Sequence, residues 1–459
     1  MRSFRNSGHR FGDKPQPAAL RSLQAHAQIF APQRYTKPRP IFCTSIISAS
    51  PTILIIGGGA AGFFGAIAAA ESCSQACVIL LEAAREPLGK VRISGGGRCN
   101  VTHACFDPAA LVQHYPRGGK ALRGAFTRFQ PRDTVAWFQR RGVVLKTEAD
   151  GRMFPTTDDS ATIVDCLMRA AEAVGVQIKA GVAVTAVQHD ERGFNVQLRG
   201  GSTLWGDRLL LATGSSPQGH RIAQALGHTL EPPVPSLFTF NVPESALRDL
   251  AGVSVESAQV RVKIADQTPL TQTGPLLITH WGLSGPAVLK LSAWGARALH
   301  DCGYRAIAQI HWLPTHPTEQ VRQILQQTKT DWGKRVVRAA APPELPLPRR
   351  LWNYLGDRAQ ISPDQRWADL SKTQLHRLLQ ELTQSQHEIS GKGVFKEEFV
   401  TCGGVSLKQI DFKTMESRVC AGVYFAGEIL DIDGVTGGFN FQSAWTTGWL
   451  AGRAIATFD

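Results

Sequence analysis

One stretch of the chain, residues 53–82, constrains the fold more than any other. It opens with a short apolar run, residues 53–56, which is rich in β-branched side chains and too short to form a helix of its own. Glycines then follow in the order G-x-G-x-x-G, small residues continue, and a second apolar run ends on the acid Glu82. This order of strand, glycine turn, helix, strand and acid predicts a βαβ unit that binds a dinucleotide.

Each part of this unit has a physical role in holding a pyrophosphate. Gly57 permits a tight turn, Gly59 lets the backbone approach the phosphates, and Gly62 allows the helix to pack closely on the strand. The helix N-terminus offers unpaired N–H groups and a positive dipole end. Glu82 lies 20 residues beyond Gly62, where a carboxylate can accept hydrogen bonds from ribose hydroxyls. A glycine turn without a ligand is the alternative, and the strand, helix and acid in register argue against it.

The bulk composition excludes several classes of protein. The chain has 459 residues, 43% of them hydrophobic, which is enough for two or three domains, and no apolar run reaches membrane-spanning length. The net charge is +13, but residues 1–50 carry +7 of it and the remaining 409 residues only +6. We therefore expect neither a nucleic acid nor a membrane as a partner. The nine scattered cysteines argue against a secreted disulfide framework and for a reducing compartment.

Residues 1–50 are predicted to be a disordered basic extension, because they are poor in acids and show no sustained periodicity. Their composition fits an organelle transit peptide, a start codon placed too far upstream in a bacterial gene, or an intrinsic flexible tail. The predicted localisation is accordingly cytoplasmic, or plastid or mitochondrion if the extension is a transit peptide.

A second glycine-rich segment, residues 89–102, has the sequence GKVRISGGGRCNVT. Its three consecutive glycines predict a loop whose backbone can approach a ligand closely. Arg98 can bind a phosphate or another anion, and Asn100 can orient the edge of a ring. A plain surface loop is the alternative, but so many polar groups beside a dinucleotide fold favour a role in lining the ligand.

The middle of the chain predicts the remainder of the same domain and then a different one. Strands over residues 176–179, 182–189 and 194–198 form a three-stranded element, and a later strand ends at Thr213 and Gly214, a turn expected near the cofactor. Beyond a proline-rich stretch, residues 236–395 are predicted to be an inserted domain. Its first part, 236–335, is expected to be mainly β and its second part, 336–395, mainly helical.

The last sixty residues return to the pattern of the first stretch. A strand ends in Gly427 and Glu428, and a turn containing Gly438 precedes a helix over residues 441–456. Glu428 can hold a ribityl or ribose hydroxyl, and the helix N-terminus can direct N–H groups at the cofactor. The sequence thus predicts an α/β protein whose Rossmann-type domain is discontinuous, formed by residues 51–235 and 396–459.

At this point the sequence resembles a known family, the flavoproteins described as NAD(P)/FAD-dependent oxidoreductases, some of which are called aminoacetone oxidases or dehydro-bile-acid reductases. Four blocks within residues 51–459 carry the resemblance, and they are residues 55–62, 89–102, 279–286 and 401–442. The last block is the most specific, with TMES at 414–417 and AGEILDIDGVTGGFNFQSA at 426–444.

The resemblance implies a glutathione-reductase-like FAD domain with an inserted β-barrel-like plus helical domain. It also implies that FAD contacts fifteen residues, carried over by position: Gly57, Gly59, Ala61, Gly62, Glu82, Lys90, Ser94, Gly97, Arg98, Asn100, Thr213, Gly214, Glu428, Gly438 and Asn440. Two positions depart from the family. His103 stands where the family usually has Asn, and residues 214–219 replace a longer glycine-rich turn. Neither departure threatens FAD binding, but both weaken any transfer of substrate identity.

The predicted function is that of an FAD-dependent oxidoreductase, which transfers a hydride through the flavin to or from a small molecule. His280, in the third block, is the candidate catalytic residue, as a proton donor or a group that orients the substrate, and a structural histidine is the alternative. No second G-x-G-x-x-G stands out between residues 215 and 400, so NAD(P)H is at most a transient co-substrate. No metal site is predicted, and the substrate and the oligomeric state stay open.

Two alternative functions remain open at this point. Cys99 and Cys105 suggest a flavin–disulfide oxidoreductase, although five residues separate them, whereas the redox pair of that superfamily is normally C-x-x-x-x-C. The second rival is a non-catalytic FAD-binding scaffold or an RNA-associated flavoprotein, to which the modest charge of the body gives little support.

Overall fold

The computed structural model of the protein describes residues 50–264, 268–393 and 400–458. Apart from Ser50, the predicted basic extension lies outside these residues. Within the described ranges, no helix combines the length and the apolar character needed to cross a membrane.

The strands are short and spread along the whole described chain. Their bounds are β1 (Thr52–Ile56), β2 (Cys77–Glu82), β3 (Thr102–His103), β4 (Leu145–Thr147), β5 (Arg152–Pro155), β6 (Gln177–Ala180), β7 (Val184–Asp190), β8 (Gly193–Leu198), β9 (Thr203–Gly206), β10 (Arg208–Leu211), β11 (Leu230–Ser236), β12 (Phe240–Asn241), β13 (Ser254–Lys263), β14 (Leu270–Thr279), β15 (Gly282–Ser284), β16 (Ala306–His311), β17 (Ser385–Ile389), β18 (Gly391–Lys392), β19 (Val400–Val405), β20 (Ile410–Asp411), β21 (Glu416–Ser417) and β22 (Val423–Phe425).

The helices alternate with these strands. Their bounds are α1 (Ala60–Ser72), α2 (Gly89–Gly97), α3 (Pro108–Leu111), α4 (Gly119–Phe126), α5 (Pro131–Gln139), α6 (Ala161–Ala173), α7 (Pro217–Ala225), α8 (Ser245–Arg248), α9 (Pro286–Trp294), α10 (Ala296–Asp301), α11 (Thr318–Asp331), α12 (Arg349–Arg358), α13 (Lys372–Gln384) and α14 (Phe439–Ile455). Short 3-10 helices cover Val112–His114, Val337–Ala339, Trp367–Asp369, Leu407–Gln409 and Gly427–Ile429.

The central sheet has the strand order β20-β21-β22-β10-β1-β2-β6, and β22, β10, β1, β2 and β6 in it are parallel. Ile55 pairs with Leu210 on one side and Leu80 on the other, and all three side chains are fully buried. Burial on both faces explains why these strands are continuous apolar runs. Helices α1 and α14 pack against each other, which joins the two ends of the described chain in one domain, called here the cofactor domain.

The three-stranded element differs in part from its prediction. It consists of β7, β8 and β9, whereas β6, predicted as its first strand, pairs in parallel with β2 in the central sheet. Helix α6 precedes β6 and makes it the end of a βαβ crossover, which explains the parallel pairing. The third strand, β9, is only four residues long and ends in Gly206, so its pattern was too weak to predict.

A second hydrophobic core lies within residues 238–389, called here the barrel domain. Its sheet has the order β17-β16-β13-β14-β15-β12-β18. The two edge strands, β17 and β18, are separated in sequence by Ser390 alone and pair with β16 and β12 respectively. The sheet therefore closes on itself, as a β-barrel-like domain requires.

The internal division of the barrel domain differs from the expectation of a β half followed by a helical half. Helix α11 lies in the segment predicted to be mainly β, and β17 and β18 follow the helices of the segment predicted to be mainly helical. Burial alternates along Ser385–Ile389, which is the period of a half-buried strand. The outer boundaries at 236 and 395 stay a prediction, since residues 394–399 lie outside the described ranges.

Candidate active site

The glycine turn between β1 and α1 combines positions that the fold requires with one that it leaves open. A Cβ on Gly57, whose φ is +112°, would lie 2.3 Å from the carbonyl oxygen of Ala212, and one on Gly62 would lie 1.9 Å from that of Gly57. A Cβ on Gly59 would meet no described atom within 4 Å. Gly57 and Gly62 are thus needed for packing, and the space beside Gly59 is available to a ligand. Ala61 is buried in the first turn of α1.

Glu82 ends β2 beside this turn. Its Oε2 accepts a hydrogen bond of 2.6 Å from the Gly58 N–H, and its Oε1 accepts one of 2.7 Å from the Ala84 N–H. No side chain caps the N-terminus of α1. The carboxylate and the free N–H groups of the helix are therefore held at the same edge of the sheet, as the dinucleotide prediction expects.

Glu428 brings together residues from four separate segments. Its Oε2 accepts a 2.6 Å hydrogen bond from Lys90 Nζ, and its Oε1 accepts one of 2.9 Å from the Thr401 N–H. A Cβ on Gly214 would lie 3.5 Å from the same carboxylate. The neighbouring Thr213 Oγ1 is buried and has no partner among the described residues. A buried hydroxyl without a partner is costly, which points to a ligand atom that would complete its bonding.

The N-terminus of α14 forms a second wall of the site. Gly438 precedes the helix with φ +90°, and its N–H donates to the Asn100 side-chain oxygen at 3.0 Å, while the Asn100 amide nitrogen donates to the Thr102 carbonyl at 3.1 Å. The Asn440 side chain bonds to both the N–H and the carbonyl of Gly434, each at 2.8 Å. Asn100 and Asn440 thus shape the turn, and their predicted contacts with FAD stay predictions.

The glycine-rich segment at 89–102 is more helical than the predicted loop. Helix α2 begins at Gly89, and its regular geometry stops at Ser94, whose Oγ donates to the Val91 carbonyl at 3.0 Å. Left-handed glycines follow, and a Cβ on Gly96 or Gly97 would meet nothing within 4 Å. Three glycines in a row end the helix, and they leave an open backbone surface beside the site.

Arg98 has partners that the sequence did not predict. Its Nη1 donates to Glu148 Oε1 at 2.7 Å and lies 3.5 Å from Asp158 Oδ1, and its guanidinium lies 4.0 Å from the centre of the Phe154 ring. Two carboxylates already neutralise this cation. A phosphate would have to compete with them, so the predicted contact of Arg98 with the cofactor stays a prediction.

The residues present fit a bound FAD. The open positions at Gly59, Gly96 and Gly97 form a cradle without side chains, and the helices α1 and α14 both begin without a side-chain cap. Thr213 Oγ1 and the Glu428 carboxylate supply polar atoms beside it. When bound, FAD would supply the redox chemistry, and the chain would supply its orientation.

The predicted catalytic residue, His280, lies at the turn between β14 and β15 of the barrel domain. Its side chain is exposed and makes no hydrogen bond or ion pair with any described residue. The adjacent Trp281 is 62% exposed. The catalytic role of His280 therefore stays a prediction.

The two cysteines of the disulfide alternative lack the features of a redox pair. Cys99 is fully buried, and burial raises its pKa to about 12 despite a hydrogen bond from Ser94. Burial also raises the pKa of Cys105. Because the thiolate is the reactive species, neither site favours thiol–disulfide exchange at neutral pH.

An aromatic stack beside α14 was not predicted as a unit. Phe439, the first residue of α14, stacks on His103 with ring centres 4.7 Å apart and on His114 with ring centres 4.2 Å apart. One sequence signal pointed to it, the departure from the resembled family at His103. His114 occurs in a segment without a motif, as does Lys290, whose charge acts on both imidazoles.

Arg117 joins the barrel domain to this wall of the site, and nothing in the sequence marked it. Its Nε donates to Asp433 Oδ1 at 2.5 Å, and its Nη1 donates to the Ala293 carbonyl at the end of α9 at 2.6 Å. Ser236 Oγ donates to Asp433 Oδ2 at 2.7 Å. Asp433 is fully buried, so this ion pair holds α9 against the loop that leads to Gly438.

Comparison with known proteins identifies the family. The sequence profile described as "HI0933-like protein Rossmann domain" matches residues 51–454. The chain belongs to this family. It is accordingly an FAD-binding oxidoreductase of Rossmann type, and the predicted fold class is confirmed.

Two curated relatives match nearly end to end. The chain is 32% identical over 413 residues to a "3-dehydro-bile acid delta(4,6)-reductase" from Clostridium scindens, covering 88% of this chain and 98% of that protein. It is 32% identical over 414 residues to a "Ribosomal RNA dihydrouridine synthase" from Escherichia coli, covering 88% and 97%. Among solved structures, a 3-ketosteroid-delta4-(5alpha)-dehydrogenase from Rhodococcus jostii is similar with a TM-score of 0.48 at 15% identity, covering 92% of this chain and 100% of that one.

Proposed function

We propose that the protein is an FAD-dependent reductase that saturates a carbon–carbon double bond conjugated to a carbonyl group, with NAD(P)H as electron donor. The observation that carries this proposal is the pair of relatives that match over nearly their full length. Both of their names denote the saturation of such a bond, in a 3-oxo steroid acid and in the uracil ring. Because the names denote the same class of bond in two unlike substrates, they support the reaction type more strongly than they support either substrate.

The site suits this chemistry in three respects. The glycine cradle at Gly59 and Gly96 would hold FAD, which supplies the hydride when reduced. The Arg117–Asp433 ion pair fixes the barrel domain beside the site, so that a substrate between the domains would be shielded from water. Thr213 Oγ1, which has no partner among the described residues, supplies a hydrogen-bonding atom for the cofactor beside the Glu428 carboxylate.

The donor is tested by anaerobic stopped-flow spectroscopy of the FAD-loaded protein. We expect NADH or NADPH to bleach the flavin absorbance, and a conjugated enone such as 2-cyclohexen-1-one, or an acidic enone, to restore it faster than buffer does. Cyclohexanone, which lacks the double bond, is the matched control. Reoxidation by dioxygen alone, with no acceleration by any enone, would indicate an oxidase and contradict the proposal.

The cofactor site is tested by Gly59→Ala. Its φ of −89° suits alanine and its Cβ position is open, so the variant should fold normally and lose only ligand space. One added methyl group at a close contact is expected to weaken FAD binding by about tenfold or more. Gly124→Ala, at an open position of α4 remote from the glycine turn, is the matched control. Equal FAD affinity in both variants, or a wild-type protein that takes up no FAD, would remove the basis of the assignment.

The name of the E. coli relative favours a second candidate, in which the double bond belongs to uridine in RNA. The expectation of no nucleic-acid partner stays a prediction and can be tested in the same way. Reduced enzyme is incubated with a ribosomal RNA fragment or with free uridine, and dihydrouridine is measured by mass spectrometry. If dihydrouridine forms in the RNA fragment and none of the enones is reduced, the RNA assignment would replace the small-molecule one.

A further inference from the structure

Three basic side chains interact beside the first turn of α14, since two imidazoles stack on Phe439 and the charge of a lysine acts on both. They are His103 at the end of β3, His114 at the end of the 3-10 helix Val112–His114, and Lys290 in α9 of the barrel domain. The ring centres of His103 and His114 lie 5.9 Å apart, with Phe439 stacked on both. These three residues are called here the basic cluster.

Lys290 reaches the cluster because α9 packs on the cofactor domain. Leu289 packs against the core of that domain, and the carbonyl of Ala293 accepts a hydrogen bond from Arg117. Lys290 lies on the same helical face as Ala293, one turn earlier, and is half-buried. Burial lowers the pKa of both imidazoles, and the charge of Lys290 lowers it further.

No carboxylate among the described residues forms an ion pair with any member of the basic cluster. The nearest acid, Asp150, directs its carboxylate to Arg152 at 2.7 Å and only its backbone carbonyl to His103 Nε2, at 3.1 Å. A carbonyl can only accept, so His103 Nε2 carries the hydrogen, and the buried Nδ1 is left without a partner among the described residues.

This arrangement would be stabilised by a bound anion. A half-buried ammonium beside two imidazoles loses hydration and gains no opposite charge in return. The N-terminus of α14, a helix of 17 residues, adds a further positive end at the same place. A carboxylate or phosphate would relieve each of these costs through charge-assisted hydrogen bonds.

We propose that the basic cluster binds the anionic group, a carboxylate or a phosphate, of the substrate. The proposal rests on the proposed function and makes it more specific, since it names a class of acidic substrates with a conjugated double bond. It fits the names of both relatives, because a bile acid carries a carboxylate and RNA carries phosphates. The position between the two domains, beside the glycine turn at Gly438, places such a substrate next to the cofactor site.

The test is a calorimetric titration of the FAD-loaded protein with benzoate, inorganic phosphate and the neutral isostere benzamide. We expect benzoate or phosphate to bind about tenfold or more tightly than benzamide, and Lys290→Gln to remove that difference. Lys334→Gln, an exposed lysine of the barrel domain, is the matched control and should bind like the wild type. Tight binding of benzoate indicates a carboxylate substrate, and tight binding of phosphate indicates a phosphorylated one.

Three results would overturn the proposal. In the first, neither anion binds more tightly than benzamide. In the second, Lys290→Gln keeps both the wild-type affinity and the wild-type flavin spectrum. In the third, that variant keeps the wild-type affinity for benzoate but shifts the spectrum of the bound flavin, which would assign Lys290 to the cofactor. If Lys290→Gln does not fold, Lys290→Arg and His114→Gln replace it, with binding expected to be retained in the first and weakened in the second.

These titrations need no turnover, which separates the two proposals. A protein that binds benzoate through Lys290 but is not bleached by NADH or NADPH would contradict the proposed donor and leave the basic cluster intact. A protein that reduces enones but binds no anion would contradict the cluster alone.

Discussion

The molecule contains two clusters built around histidine, and they differ in how completely their polar atoms are paired. In the barrel domain, His387 Nε2 lies 2.8 Å from Ser385 Oγ, and its Nδ1 lies 3.1 Å from Glu244 Oε2. In the cofactor domain, His103 Nδ1 has no partner within the described ranges, and His114 forms no side-chain hydrogen bond there. Both clusters contain imidazoles, but only the second has unused hydrogen-bonding atoms.

The cluster in the barrel domain has the connectivity of a hydrolase triad, Ser385–His387–Glu244, yet its surroundings exclude that function. The His387 side chain is 0% exposed, and Ser385 Oγ also donates to Glu381 Oε2 at 3.1 Å. No substrate can reach such a serine, and its proton is already committed. Complete pairing in a closed interior thus indicates stabilisation, whereas incomplete pairing between two domains indicates binding.

The largest expected effect follows from breaking the paired cluster. His387→Ala removes one hydrogen-bond partner each from Ser385 and Glu244 and leaves a cavity in place of a buried ring, which should lower the free energy of unfolding by about 3 kcal/mol. Chemical denaturation of FAD-loaded protein, followed by circular dichroism at fixed FAD concentration, measures this loss. His376→Ala, at an exposed position of α13, is the matched control. A loss no larger than that of the control would show that complete pairing does not stabilise this domain.

A smaller effect is expected from the charge of Glu244 alone. Burial acts to raise its pKa, but hydrogen bonds from His387 and Tyr354 and the charge of Arg358 lower it from 4.5 to about 2. A depressed folded-state pKa stabilises the protein above the unfolded value and loses that contribution as the pH falls towards the folded value. Glu244→Gln should therefore cost about 2 kcal/mol at pH 6.

The same variant provides its own pH test. The difference in unfolding free energy between wild type and Glu244→Gln should shrink between pH 4.5 and pH 2, because the wild-type carboxylate takes up its proton there. Glu319→Gln, which breaks an exposed ion pair with Arg322, should cost less than about 0.5 kcal/mol at any of these pH values. A difference that stays constant with pH would mean that the charge of Glu244 is not what stabilises the cluster.

What the sequence could predict of the fold depends on whether the signal is local. The β1–α1–β2 unit is contiguous, and its glycines, apolar runs and final acid are all local signals. Closure of the barrel depends instead on β17, which pairs with β16, a strand that ends at His311. Helices α11, α12 and α13 separate the two strands in the sequence. The only local signal of the pairing is therefore the alternation of buried and exposed residues in the five-residue segment SQHEI.

The same distinction applies to the site. The glycine-turn residues Gly57, Gly59 and Gly62 were predictable, because backbone geometry at a glycine turn is a local property. The electrostatic interaction of His114 with Lys290 depends on how α9 packs against another domain, and no spacing in the sequence encodes it. Arg98 shows the opposite case. An arginine in a glycine-rich loop suggested an anion-binding site, but in the folded protein its guanidinium pairs with the carboxylates of Glu148 and Asp158.

Anion binding at the basic cluster is expected to depend on pH. A bound carboxylate would raise the pKa of His103, which burial lowers in the free protein, so binding should take up a proton. Benzoate affinity should then fall by about fivefold between pH 6 and pH 8. The charged groups that face His103 are Lys290 in α9, His114 in the 3-10 helix and Asp150 in the turn before β5. His103→Asn should reduce the pH dependence to less than about twofold, and an unchanged profile would exclude His103 as its source.

The smallest expected effect is the cost of His103→Asn to stability. Asparagine is what the resembled family usually carries here, and the hydrogen bond that its shorter side chain gives up, from His103 Nε2 to the Asp150 carbonyl, is exposed and contributes little. The substitution removes an unpaired Nδ1 and a ring pressed against Gly151, so the free energy of unfolding should change by less than about 0.5 kcal/mol. Denaturation of this variant beside His387→Ala compares the two clusters directly. A loss above about 2 kcal/mol would place His103 among the structural histidines and end the distinction drawn between the clusters.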